Sequence, residues 1–176
     1  MLALVNNGAT VNPNQALLEA TPEVLQRDFG TNVYGTIYMT QAVVIEGKMP
    51  KGGRIINVGS IVSKFIPMGT SIYNTVKVAQ DSLTACWAGE LGRSHGITVN
   101  TLAPGPIPTD ISKNTLVLPD GSPTPMMSGL RELARAEDRV GTVEDVADAA
   151  LLLVQERSRW ITAQWISVSG GVIGTG

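Results

Sequence analysis

The chain has little of what several functional classes need. Its 176 residues include one cysteine, Cys86, and one histidine, His95. A single cysteine excludes an internal disulfide and makes a reducing, cytoplasmic compartment the expectation. No grouping of His, Cys, Asp and Glu at ligand spacing is present, so no metal site is expected. Cys86 reads as a core residue and His95 as a surface one. Charge is sparse: 16% of residues are charged, the net charge is −2, and no run of one sign occurs. Neither nucleic acid nor an anionic membrane surface is then an expected partner. No apolar run reaches the roughly 18 residues of a membrane span. The apolar start Met1-Leu-Ala-Leu-Val has no basic flank and ends at Asn6-Asn7-Gly8. It reads as a strand rather than a signal peptide.

What is present alternates between strand and helix, within a length that fits one domain over residues 1–176. Residues 2–5 form the first expected strand. Thr21-Pro22-Glu23 starts a helix, with a capping hydroxyl and Pro at the first helical position. That helix is expected to run to about residue 48, with Val33, Ile37 and Val44 on one face. Residues 54–58 give the second strand, ending in Gly59-Ser60. The spacing of Ala79, Leu83, Trp87 and Leu91 predicts a buried stripe on a helix over residues 71–94, with Gly96 as its cap. Residues 97–102 give a third strand. Residues 103–135 hold most of the ten prolines and show no period, which suggests a functional loop. Thr142-Val-Glu-Asp opens another helix, with Val146, Ala149, Ala150, Leu153 and Val154 facing inward. Residues 165–168 give the fourth strand. The pattern predicts an α/β fold: a parallel sheet of about four strands with helices on both faces. Ligands of such sheets bind beyond the carboxyl ends of the strands.

Candidate chemistry lies at those ends. Tyr73 and Lys77 are four residues apart on a helix, hence on one face. An ammonium beside a phenol favours the phenolate and is expected to lower the tyrosine pKa. Such a phenol can give or take a proton at a carbonyl or alcohol oxygen. Ser60, at a strand end, could hydrogen-bond the same oxygen. On its own, Tyr-x-x-x-Lys is also an ordinary surface pair.

Further segments carry a resemblance. Leu4-Val5-Asn6-Asn7-Gly8-Ala9, Asn32-Val33-x-Gly35, and Gly53 through Ser60 precede the tyrosine motif. Asn100-Thr-Leu-Ala-Pro104-Gly105-Pro-Ile107-Pro-Thr109, Arg139-Val-Gly141, and Ile161 through Gly171 follow it. Together they resemble the classical short-chain dehydrogenase/reductase family over nearly the whole chain, and the 13-residue step from Ser60 to Tyr73 is that family's spacing. The sequence is similar to fungal secondary-metabolite ketoreductases and to the polyhydroxynaphthalene-reductase branch. The resemblance implies a partial Rossmann-like sheet and an NADP(H)-dependent oxidoreductase acting on a small, polyketide-like ketone or alcohol. It implies that Tyr73 transfers the proton, that Lys77 tunes it and holds the nicotinamide ribose, and that Ser60 orients the substrate oxygen. Asn32 would hold a water in the proton relay. Asn7 would lie on the adenosine side of the cofactor, and Ile107 and Thr109 near its carboxamide and diphosphate. Residues 103–135 would form a substrate lid, lined by Met126, Met127, Leu130 and Leu133, or these four would simply pack a short helix.

The pattern also departs from the family. The Gly-rich phosphate-binding turn and the first three strands of the full fold are not found, so the chain reads as N-terminally truncated. The first strand here is then expected to be an exposed apolar edge that invites a partner chain or a homo-oligomer. Ala163 stands where Gly is common, and Ser169 where Asp is common. Three functional readings stay open: the ketone reductase; a cofactor-independent dehydratase, isomerase or cyclase using Tyr73, Lys77 and Ser60; and a non-catalytic partner of a longer homologue.

Overall fold

The computed structural model describes residues 2–11 and 17–174, without the side chains of residues 113 and 114. Met1, at the apolar start of the sequence, lies outside them. Four parallel strands form one sheet in the order β1 (Ala3–Asn6), β2 (Arg54–Val58), β3 (Thr98–Pro104), β4 (Trp165–Val168). The register pairs Asn6 with Asn57, Val58 with Leu102, and Pro104 with Val168. All four carboxyl ends therefore emerge along one edge, where side chains from every strand can meet.

Alternation along β2 assigns the two faces of the sheet. Ile55 faces one side and packs with Val99, Ile97, Ala88 and Met49, supported by Val43, Val44, Trp87 and Leu91. Ile56 faces the other and packs with Leu102 and Leu153, supported by Val146, Ala149, Ala150 and Val154. The first face is covered by α3 (Ser71–His95) and by a long helix built from α1 (Pro22–Phe29), α2 (Thr36–Gln41) and two π segments, Gly30–Gly35 and Ala42–Glu46. The second face is covered by α6 (Val143–Val154). The inward residues expected on α6 are those found.

Local chemistry sets the helix ends. The Thr21 hydroxyl accepts the Val24 N–H, with Pro22 at the first turn. Thr142 and Asp145 form a reciprocal capping box on α6. Gly96 ends α3 at φ 65°, a left-handed conformation that glycine adopts without steric cost. The segment 103–135 holds two short helices, α4 (Lys113–Leu116) and α5 (Pro125–Glu132).

Two expectations are corrected. The buried stripe of α3 is Val76, Lys77, Gln80, Thr84 and Ala88, while Ala79, Leu83, Trp87 and Leu91 are half-buried. On the preceding helix Asn32, Thr36 and Thr40 are buried, while Val33, Ile37 and Val44 are half-buried and Val44 packs against the Ile55 cluster. Both faces are polar because their groups satisfy one another. Asn6 Nδ2 donates to Thr40 Oγ1 at 3.1 Å and to Asn57 Oδ1 at 2.8 Å, and Asn57 Nδ2 donates to Thr84 Oγ1 at 2.9 Å. Such a ladder removes the desolvation penalty that otherwise keeps amides out of a core. Finally, Cys86 is exposed on α3 rather than in the core, since its position points away from the sheet. His95 is exposed as expected.

β1 lies at an end of the sheet, with Leu2 and Val5 39% and 45% exposed. Among the described residues no helix is long and apolar enough to cross a membrane.

Candidate active site

A cleft of about 380 Å³ opens beyond the carboxyl ends of β1, β2 and β3. Asn7 borders it after β1, Ser60 after β2, and Pro104 through Ile107 and Thr109 after β3. Tyr73 and Lys77 enter from the first two turns of α3. The structure thus brings Ser60, Tyr73, Lys77, Asn7, Ile107 and Thr109 to one cavity. Asn32 is not among its lining residues.

Each side chain is held for an identifiable reason. Ser60 leaves β2 in extended conformation and caps a short 3₁₀ turn, its Oγ accepting the Val62 N–H at 3.2 Å. That bond uses a lone pair and leaves the hydroxyl proton to be donated. The turn is tied to α3 by Asn74 Nδ2, which donates to Val62 O at 2.6 Å, and to β4 by Trp165 Nε1, which donates to Ser63 Oγ at 3.2 Å. After β3, Gly105 lies against the next strand end: a β-carbon there would come within 2.8 Å of Ser169 Cβ. The following loop is pinned by the Thr109 N–H, which donates to Ser112 Oγ at 3.0 Å, and by Ser112 Oγ, which donates to Ile107 O.

Electrostatics at the centre are governed by burial. Burial raises the Tyr73 pKa above the usual phenol value, and a hydrogen bond with Ser60 opposes the rise. This corrects the expected lowering by Lys77: the cost of desolvating the phenolate is the largest effect on this phenol. Lys77 is itself pushed down to about 8 by burial, with the Asp81 carboxylate opposing. Its Nζ lies 5.7 Å from the Tyr73 ring centroid and donates to Val58 O and Gln80 Oε1, both at 2.9 Å. An ammonium has three N–H donors, so a third remains for a ligand in the cleft.

Asn32 stands fully buried in the π segment after α1. Its Nδ2 donates to Asp28 O at 2.8 Å and Thr10 O at 2.9 Å, while its Oδ1 is buried with no partner. Its main-chain carbonyl accepts from Thr36 Oγ1 at 2.9 Å.

The four apolar residues expected in the lid divide. Met126 and Leu130 border the cleft. Leu130 also packs with Ile61, Leu116 and Val172, and Met127 supports that cluster. Leu133 is exposed and belongs to neither group. Sequence reasoning missed Val62, Phe65 and Ile111, which add to the apolar wall. It also missed Gln80, three residues beyond Lys77 on the same helix face, where spacing alone could have found it. Among the described residues no group of His, Cys, Asp and Glu could hold a metal ion.

The arrangement offers a phenol, a hydroxyl and an ammonium around one apolar space, the means to exchange a proton with a carbonyl or alcohol oxygen. The family profile described as Enoyl-(Acyl carrier protein) reductase matches residues 2–173. The chain is 30% identical over 174 residues to the short-chain dehydrogenase/reductase FrzI of Cladobotryum sp, a match spanning 97% of this chain and 65% of that protein. It is 34% identical over 170 residues to the dehydrogenase OXI1 of Cochliobolus heterostrophus, spanning 97% and 71%. Among solved structures it resembles the angucycline C-6 ketoreductase LanV with bound NADP, at 32% identity and a TM-score of 0.82, spanning 97% of this chain and 62% of that one. With fold and sequence in agreement from β1 to the end of β4, the chain belongs to the short-chain dehydrogenase/reductase family.

Proposed function

We propose that the chain carries the proton-transfer site of an oxidoreductase that interconverts a ketone and an alcohol, with NADP(H) as hydride carrier and a small, apolar, polyketide-like metabolite as substrate. The observation that carries the reading is the convergence of Ser60, Tyr73 and Lys77 on one cleft. Support for the cofactor comes from the likeness to a ketoreductase solved with NADP. Support for the substrate comes from the apolar wall of Val62, Phe65, Ile111, Leu116, Met126 and Leu130. Residues 103–135 are proposed as the lid, since α4 and α5 supply the last three of these.

The residues present fit the nicotinamide end of such a cofactor. Lys77 has an N–H to spare for a ribose hydroxyl, and Asn7, Ile107 and Thr109 border the same space. When bound, the reduced nicotinamide supplies the hydride to the carbonyl carbon. Ser60 donates its hydroxyl proton to the carbonyl oxygen and holds it near Tyr73. Tyr73 transfers its phenolic proton to that oxygen as negative charge develops there. Lys77 stabilises the phenolate left behind, and Asn32 is proposed to hold a water in the proton relay. The wall and lid exclude water, which strengthens each of these interactions. The exposed Leu2 and Val5 support pairing of β1 with another chain, as a homo-oligomer or with a longer homologue.

The test is NADPH-dependent turnover of a panel of aryl and polycyclic ketones by the purified chain and by Tyr73→Phe. A loss of about 100-fold or more in the variant is expected from removal of a general acid. Wild-type turnover in Tyr73→Phe would overturn the reading. Turnover that needs Tyr73 but not NADPH would replace it with the dehydratase, isomerase or cyclase reading.

A further inference from the structure

The Lys77 ammonium is anchored on the side away from the cleft. Gln80 Oε1 accepts from it at 2.9 Å, Gln80 Nε2 donates to Thr36 Oγ1 at 3.1 Å, and the Thr36 hydroxyl donates to the Asn32 main-chain carbonyl at 2.9 Å. All four residues are at most 4% exposed. The sense of every bond is determined by the ends of the chain. An ammonium can only donate, and a main-chain carbonyl can only accept. Thr36 must turn its proton toward Asn32 and its lone pair toward Gln80. The amide must then offer N–H to Thr36 and oxygen to Lys77. A flipped amide would set N–H against the ammonium and oxygen against the hydroxyl lone pair.

We propose that Gln80 is a positioning residue for the proton-transfer site: its amide oxygen holds the Lys77 ammonium in place behind Tyr73, and Thr36 and Asn32 fix the direction in which that oxygen points. The proposal rests on the reading of Lys77 as the partner of Tyr73, but its test needs no turnover. The surroundings leave few other groups to set the ammonium. Tyr73 and Asp81 are the titratable neighbours on its own helix, and Lys64, on the turn after β2, faces Asp81. From α1 the buried Asp28 is already bound by Arg27 and Thr10. β2 contributes the neutral Val58 carbonyl. A buried ammonium with so few acceptors depends on each one.

Lysine side-chain ¹⁵N NMR titration of the folded chain tests this, with Lys77→Arg assigning the resonance. In Gln80→Met, which keeps the length and removes the acceptor, the Lys77 midpoint is expected to fall by about half a unit or more. In Gln80→Glu it is expected to rise by about one unit, as an opposite charge at hydrogen-bond distance requires. Thr36→Val, which frees the amide to rotate, should shift it down. A midpoint unchanged in Gln80→Met, with circular dichroism and melting like the wild type, would overturn the proposal. Where Gln80→Met does not fold, a midpoint that fails to rise in Gln80→Glu does the same. Either result leaves the proposed reaction standing, since that is judged by turnover in Tyr73→Phe.

Discussion

The Nζ of Lys77 lies 5.7 Å from the centroid of the Tyr73 ring, one helical turn away on α3. At that range the ammonium interacts with the face of the ring. Burial moves the two groups in opposite directions, raising the phenol and lowering the ammonium to about 8. Tyr73 therefore keeps its proton through neutral pH, the form that can donate to a ketone. Lys77 is the group that titrates first.

The pH profile of the proposed ketone reduction follows from this. The rate should be level below pH 8 and fall above it as Lys77 loses the charge that supports the phenolate. In Lys77→Arg, whose guanidinium stays charged, the limb near pH 8 should vanish from whatever activity remains. Steady-state rates from pH 6 to 10 check both statements. A limb that persists unchanged in Lys77→Arg would assign it to another group.

The same shift predicts a stability profile. The Lys77 pKa is about 8 folded against 10.5 as the ordinary value. Between those values the unfolded chain binds more protons, so stability should rise with pH across that window and be lowest below pH 8. The full penalty is on the order of 3 kcal/mol. Chemical denaturation at pH 7, 8 and 9 should show the rise in the wild type and a flatter response in Lys77→Met. Above pH 10 the raised phenol of Tyr73 reverses the trend.

Ala163 adopts φ 59°, while its N–H donates to Val99 O at 2.8 Å. A left-handed conformation costs a residue with a β-carbon about 1–2 kcal/mol. Ala163→Gly is expected to stabilise the chain by about 1 kcal/mol, less than the strain because glycine gives the unfolded state more freedom. A melting temperature equal to or below that of the wild type would contradict this.

Ser60→Ala removes the proposed donor to the substrate oxygen together with the cap on the Val62 N–H. It should slow the proposed ketone reduction by roughly 100-fold, with stability lowered by no more than the about 1 kcal/mol of a lost cap. A large fall in melting temperature instead would assign Ser60 to the support of its 3₁₀ turn.

The parts of this structure that were legible in the sequence are those written locally. Strands β2 and β4, the Thr21 and Thr142 caps, and the glycine at residue 96 each follow from a few adjacent residues. Asn7, Ser60 and Pro104-Gly105 could be placed because a parallel sheet collects its carboxyl ends, Tyr73 and Lys77 by their spacing on one helix, and Ile107 and Thr109 by the family resemblance. What escaped depends on partners distant in the chain. Thr36, Thr40, Gln80 and Thr84 look like surface residues until their bonds to one another and to Asn6 and Asn57 are seen. Pattern reading therefore chose the neighbouring apolar stripes. The direction of the Tyr73 shift escaped for a similar reason, since spacing shows the nearby ammonium and not the depth of burial. α5 had a usable signal in Thr124-Pro125, which repeats the Thr21-Pro22 start and caps in the same way through Met127 N. With only 8 residues it showed no period.

The central claim is that this site works beside a nicotinamide cofactor, and calorimetric titration of the purified chain with NADPH tests it most directly. The account predicts saturable heat at one site per chain, weakened when Lys77→Met removes the spare N–H. Heat indistinguishable from dilution, for a chain with the wild-type circular dichroism spectrum, would contradict it.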